Sequence, residues 1–142
     1  MSTTRRTPVE ASCCVVTVPP VGTNLVVVRG VLSREPERRE MRSGDVLVTY
    51  EVTVRPVPDG GAPARSAETL PVCWFDPPAA ATRFDAADDV VVVGRVRRRF
   101  YRSGGVTASR TEVVAARVVS ARAPARVRAA LAPVLGTLVA PG

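Results

Sequence analysis

The stretch from Val90 to Val119 constrains the fold more than any other, because it holds two long runs of strand-forming residues joined by a short turn. Its sequence is VVVVGRVRRRFYRSGGVTASRTEVVAARVV. Side chains two residues apart share a face of a strand, so the first run divides into two faces. One face carries Arg95, Arg97, Arg99 and Tyr101, and the other carries Val92, Val96 and Arg98. Ser103-Gly104-Gly105 supplies a turn, which predicts a β-hairpin with one cationic face ending in an aromatic ring.

The composition favours a polyanionic partner. The 142 residues have room for one domain with short tails, and the formal net charge of +7 suits nucleic acid or an anionic membrane surface. Every basic residue is arginine, whose guanidinium binds phosphate bidentately and stacks on bases. A very GC-rich genome would give the same bias whatever the function, because Lys, Ile and Gln are also absent.

Metal binding and catalysis find little support in the residues. Cys13, Cys14 and Cys73 form no CxxC pair and histidine is absent, so we predict no metal, no cofactor and reduced cytoplasmic thiols. Without histidine, a Gly-rich phosphate loop or a nucleophile beside a base, the chain is not expected to be an enzyme. No apolar run approaches the roughly 18 residues that span a bilayer, and no hydrophobic segment follows Arg5-Arg6, so neither membrane insertion nor export is predicted.

Runs of β-branched residues bounded by turns predict five core strands in antiparallel order. They span residues 24–32, 46–55 and 68–75 and the two arms of the hairpin. Gly30 is expected where a strand coils sharply or another backbone approaches. A charged connector at 34–42, a Pro/Gly-rich loop at 56–66 and a short helical segment within 77–84 link the strands.

This order predicts an all-β fold, a five-stranded antiparallel Greek-key OB-fold barrel with a short helix between strands 3 and 4 and a C-terminal helical tail. A β-sandwich usually needs more strands. Residues 1–22 form an N-terminal arm, in which 13–18 could add an edge strand; 23–120 form the OB-fold domain, and 121–142 form a partly helical tail.

The tail has one apolar side. Pro124 suits the first turn of a helix, whereas Pro133 would kink or end it and leave two short pieces. We expect the apolar side to pack on the barrel or on a neighbouring subunit rather than on a membrane or a partner helix. Its members are Val127, Leu131, Val134, Leu135 and Leu138.

Between residues 24 and 119 the chain resembles the bacterial single-stranded-DNA-binding protein family. The resemblance lies in NLVVVRGVL at 24–32, REPER at 34–38, Ser43-Gly44, VCWF at 72–75, DDVVVVGRV at 88–96 and TEVVA at 111–115. It implies an OB fold that binds single-stranded DNA with little sequence preference during replication, recombination or repair. It also implies a homo-oligomer, a tetramer or a dimer, in the cytoplasm and associated with the nucleoid. By position, Phe75 and Tyr101 fall where the family places base-stacking rings.

Two departures from the family pattern point to a specialised paralogue. Nothing after Glu112 is acidic, so recruitment of repair proteins through an acidic tail is not expected. Aromatic residues make up only 4% of the chain, and the 56–66 loop has no ring where the family often has one, so affinity per site is expected to be lower.

Eight residues are predicted to bind nucleic acid, the rings by stacking on bases and the arginines by contacting phosphates. Trp74 faces the opposite side of its strand from Phe75, and an aromatic on a central strand is more often core. The arginines of the 34–42 connector alternate with glutamates, so less is expected of them. The predicted residues are Arg55, Trp74, Phe75, Arg95, Arg97, Arg99, Tyr101 and Arg110.

Two other functions stay open at this point. The first is an OB-fold interaction module that has lost strong affinity for single-stranded DNA and assembles with a paralogue. The second is an RNA binder of the same fold, because nothing in the sequence reads the 2′-OH.

Overall fold

A computed structural model describes residues 22–56 and 66–138, and six strands of that part form one mixed sheet. A 3-10 helix, Ala79–Thr82, lies between the fourth and fifth strands, and a helix α1, Pro124–Leu138, follows the sixth. The strands are β1 Val26–Leu32, β2 Glu37–Glu40, β3 Val46–Val54, β4 Glu68–Phe75, β5 Asp89–Ser103 and β6 Val106–Ser120. Residues 1–21 of the predicted N-terminal arm, which include Cys13 and Cys14, and loop residues 57–65 lie outside the described residues.

Five of the strands close into a ring. β1 pairs with β5, β5 with β6, β6 with β4, β4 with β3, and β3 again with β1. The β4–β6 pair is parallel and the others are antiparallel, so the predicted fully antiparallel order was wrong. The reason is geometric, because an odd number of strands cannot alternate in direction all the way round a closed ring. The result is a barrel-like, mostly β fold.

The sixth strand, β2, lies in the segment that the sequence suggested was only a charged connector. Its four exposed residues, ERRE, pair antiparallel with Val46–Thr49 of β3. β1 pairs with β3 only at Val31 and Leu32, so it leaves the first half of β3 with an open edge. β2 occupies that edge and satisfies its backbone groups, which matters more here than the weak strand propensity of ERRE.

The core fills the ring with alternate side chains. Val48, Tyr50 and Val52 of β3 point inward, and the Tyr50 hydroxyl donates a hydrogen bond of 2.7 Å to the carbonyl oxygen of Ala81 in the 3-10 helix. Burial raises the pKa of Tyr50 well above its usual value. The remaining members of this core are Leu32, Val72, Ala81, Val90, Val92, Val113, Ala115 and Val118.

Two glycines stand where strands bend closely past one another. A Cβ at Gly30 would collide with the carbonyl oxygen of Thr53, which confirms the predicted close approach. A Cβ at Gly94 would collide with the carbonyl oxygen of Val114. At Gly94 the β5–β6 register shifts, so Ala116 is an extra residue on β6 and the inward positions change from 113 and 115 to 118.

A second apolar layer lies outside the ring, where α1 packs on β5 and β6. Val91, Val93 and Val119 of the strands meet Ala130 and Val134 of the helix, so the VVVV run at 90–93 is buried on both faces. The helix continues through Pro133 in one piece. Packing of its apolar side offsets the backbone hydrogen bond that proline removes. Two residues expected on that side, Leu135 and Leu138, are instead exposed. None of the helices described is long and apolar enough to span a bilayer.

Candidate nucleic-acid interface

A groove of about 520 Å³ runs over the outward face of the sheet. Its floor comes from the residues of β3 and β4 that alternate with core residues and therefore point outward. One wall is β2 with the segment before it, and the other is the β5–β6 hairpin. The residues used below are Arg34 and Arg39 on the first wall, Glu51, Cys73 and Phe75 on the floor, and Arg97, Arg99, Arg110 and Glu112 on the second wall.

Four of the eight predicted residues meet in this groove: Phe75, Arg97, Arg99 and Arg110. The strand register explains their meeting. Arg99 lies opposite Arg110 across the β5–β6 ladder, and β6 runs beside β4, which carries Phe75 at its end. The Arg97 guanidinium carbon lies 5.4 Å from the centre of the Phe75 ring, which is within cation–π range.

The other four predicted residues do not line the groove. Trp74 packs against the core, as its alternation with Phe75 requires, so its position does not support a contact with nucleic acid. Arg95 shares a face of β5 with Arg97, but it is exposed and lies before the groove begins. Tyr101, which is half-exposed, lies further along β5 towards the turn. Arg55 is exposed just beyond the end of β3.

A buried carboxylate that the sequence did not single out organises the second wall. The Glu112 side chain is only 7% exposed, and it lies opposite Arg97 in the ladder. Arg97 donates to Oε2 from both Nε, at 3.1 Å, and Nη2. Arg99 Nη2 lies 3.7 Å from Oε1, and the Cys73 thiol donates to Oε2 at 3.6 Å.

These contacts fix the protonation of the wall. Burial alone would raise the pKa of Glu112, but the hydrogen bonds from Arg97 and the charges of Arg97 and Arg99 outweigh it, and the pKa is lowered. The hydrogen bond to Glu112 raises the pKa of Arg97. Glu112 is therefore ionised at neutral pH. Because two nitrogens of Arg97 bind the carboxylate, the planar guanidinium is held in place over Phe75.

Two groove arginines come from the connector of which little was expected. Arg39 pairs with Glu37 within the connector at 3.8 Å, but Arg34 reaches across to Glu51 of β3 at 3.2 Å. The charge alternation suggested pairing inside the segment, which is correct only for Arg39. The open edge of β3 places the segment alongside the groove, and no local sequence pattern reports that edge. Arg110 has no ion pair within residues 22–56 and 66–138.

Cys73 lies in the floor of the groove beside Glu112. It is a buried free thiol, and burial together with the nearby charge of Glu112 raises its pKa, so it stays protonated. The described part of the chain contains no cluster of three or more His, Cys, Asp or Glu side chains suited to a metal ion.

The sequence has no significant match to models of known protein families or to curated proteins.

Proposed function

We propose that this protein is a non-enzymatic OB-fold protein that binds single-stranded DNA with little sequence preference, as an oligomer in the cytoplasm. The five-strand ring closed by the parallel β4–β6 pair, with a short helix between β4 and β5, supports the OB assignment. The resemblance of residues 24–119 to the single-stranded-DNA-binding family supports the ligand.

The single observation that carries the proposal is the Phe75–Arg97 pair in a groove with further arginines. Stacking contributes roughly 1–3 kcal/mol per base and accepts any base, while a cationic groove follows the backbone. In this arrangement a base stacks at Phe75 and Arg97, and phosphates lie along Arg99 and Arg110. The half-exposed Tyr101 offers a further aromatic ring on β5, the strand that carries Arg97 and Arg99.

The test is the fluorescence anisotropy of labelled oligo(dT) at several salt concentrations. Trp74 packs on the core, so its own fluorescence is a poor reporter of binding. Arg110→Ser and Arg128→Ser remove the same charge, the first in the groove and the second on α1. The slope of log K against log salt is negative, and a lost phosphate contact reduces its magnitude by about 0.7 for single strands, so we expect that change only in Arg110→Ser.

Phe75→Leu keeps an apolar side chain and removes the ring. We expect it to weaken binding by roughly 1–3 kcal/mol per stacked base. Equal effects of the two arginine variants, or tighter binding to duplex than to oligo(dT), would contradict the proposal. Competition with an RNA oligomer of matched sequence decides between DNA and RNA.

A further inference from the structure

The distal half of the β5–β6 hairpin projects beyond the ring as a two-stranded arm. The last β5 residue paired with β1 is Gly94, and β6 pairs with β4 only at Val113 and Val114. The side-chain amide of Asn24 then bonds both backbone groups of Val96, at 2.8 and 2.9 Å, and so extends the β1 edge by one step. Within the described chain, residues 97–103 and 106–112 form ladder pairs only with each other. A hairpin of this kind is marginally stable without a surface to contact.

The arm has two faces. The groove face carries the Arg97, Arg99 and Tyr101 side chains already placed. The opposite face, here called the far face, carries Val96, Arg98, Phe100 and Arg102 on β5, with Thr111, Ser109 and Thr107 opposite the last three on β6. The far face therefore repeats the pattern of arginines next to a ring.

Phe100 is the outstanding residue of the far face. It is 63% exposed, and the Arg98 guanidinium carbon lies 6.0 Å from the centre of its ring. Val96, at the base of the far face, is 42% exposed, although its partner Val113 is core. An exposed phenylalanine in the middle of a strand offers a flat apolar surface that water solvates poorly. Covering it would be favourable.

Charge indicates what covers it. Arg98 and Arg102 flank Phe100, and none of the seven far-face residues is acidic, whereas every groove wall contains a glutamate. Rings between uncompensated arginines fit a strand of alternating bases and phosphates. The far face also belongs to the same strand, β5, as the second wall of the groove, so one polynucleotide can reach both.

We infer that the far face is a second contact for single-stranded DNA, with a base on Phe100 and phosphates at Arg98 and Arg102, which a strand reaches after leaving the groove. This inference rests on the proposed function. It implies that a DNA oligomer long enough to pass round the arm binds more tightly than one that fills the groove alone.

The test compares oligo(dT) of about 4 and about 16 nucleotides, the range of lengths that OB domains cover. Phe100→Leu removes the ring and keeps apolar bulk, and Phe100→Tyr keeps the ring. Leu135→Ala is the control, because it trims an apolar side chain that is equally exposed but lies on α1, away from the far face. For Phe100→Leu we expect affinity for the long oligomer to fall by about 5- to 150-fold, with the short oligomer unaffected. Phe100→Tyr and Leu135→Ala should bind both oligomers like the unsubstituted protein.

Three results would overturn the inference, and they are distinguishable from one another. If Phe100→Leu lowered the affinity for both oligomers equally, or for neither, Phe100 would not be a separate contact. Neither result would contradict the proposed binding in the groove. Dissociation of an oligomer by Phe100→Leu in sedimentation would show that the far face joins two copies of the chain. Failure of the unsubstituted protein to bind either oligomer would overturn the proposed function and this inference with it.

Discussion

Replacing Arg97 with alanine would leave the Glu112 carboxylate buried without its main partner. Removing one member of a buried ion pair costs roughly 3–5 kcal/mol, because the remaining charge is neither solvated nor paired. Glu112 is 7% exposed, but it would keep the Cys73 thiol and Arg99 as weaker partners. We therefore expect Arg97→Ala to lower the free energy of unfolding by about 2–4 kcal/mol at pH 7.

The reverse replacement, Glu112→Gln, should cost less. It leaves two cations, but the side chains of Arg97 and Arg99 are 33% and 52% exposed and can regain water. The glutamine amide oxygen can still accept a hydrogen bond from Arg97. We expect a loss of about 1–2 kcal/mol.

The stability of Arg97→Ala should also depend on pH differently from that of the unsubstituted protein. In the unsubstituted protein the pKa of Glu112 is lowered, so the pair stabilises the fold above the unfolded pKa near 4.3, and that contribution is lost as pH falls through the lower, folded pKa. Arg97→Ala removes the hydrogen bonds that oppose burial and leaves only the weaker effects of Arg99 and Cys73, so we expect burial to raise the pKa of Glu112 in that variant. The buried charge then destabilises the fold at neutral pH, and protonation relieves this as pH falls towards about 4.3.

Urea denaturation followed by the fluorescence of Trp74, which packs on the core, measures both effects. Arg98→Ala is the control, because Arg98 lies on the far face and has no ion pair among the described residues. It should change stability by less than about 0.5 kcal/mol. A larger loss of stability in Glu112→Gln than in Arg97→Ala would contradict the role of the buried pair. So would a loss of stability in Arg97→Ala that is as large near pH 4.5 as at pH 7.

Two further changes test the fold by the same measurement. Gly94→Ala forces a methyl group into the backbone of β6 and should lower the free energy of unfolding by about 1–3 kcal/mol or more. Gly136→Ala, in open space on α1, should raise it by about 0.5–1 kcal/mol. Equal effects of the two variants would contradict the close approach at Gly94. Tyr50→Phe removes the donor to the Ala81 carbonyl in the core and should cost about 1–2 kcal/mol, and no change in the urea midpoint would show that this bond adds nothing.

The hairpin was predictable because every signal for it is local. Alternating residues, a Ser-Gly-Gly turn and a second β-branched run lie within one stretch, and the structure confirms both strands and the turn. The same turn also predicts the partner of Arg97, since counting outward from the Ser103–Val106 pair places Glu112 opposite it. Alternation along β5 alone does not identify Glu112, because its place opposite Arg97 depends on the register between β5 and β6.

The parallel β4–β6 pair and the strand β2 were not predictable in the same way. Both depend on which backbone edge is left open after distant strands have paired, and no short window of sequence reports that. The outward-facing arginines of β5 follow from strand alternation. Arg34 and Arg39 instead depend on the edge of β3 that β2 occupies.

The pairing of the groove arginines decides how the proposed ligand is held. Arg34 pairs with Glu51, whose side chain is 38% exposed, so a phosphate can replace that carboxylate while water takes up the charge released. Glu112 has almost no access to water, so displacing it from Arg97 would leave a buried charge unpaired. A bound strand is therefore expected to exchange partners at Arg34 and to contact Arg110 directly. Arg97 stays on Glu112 and acts through its flat face over Phe75, as part of the stacking surface rather than as a phosphate contact.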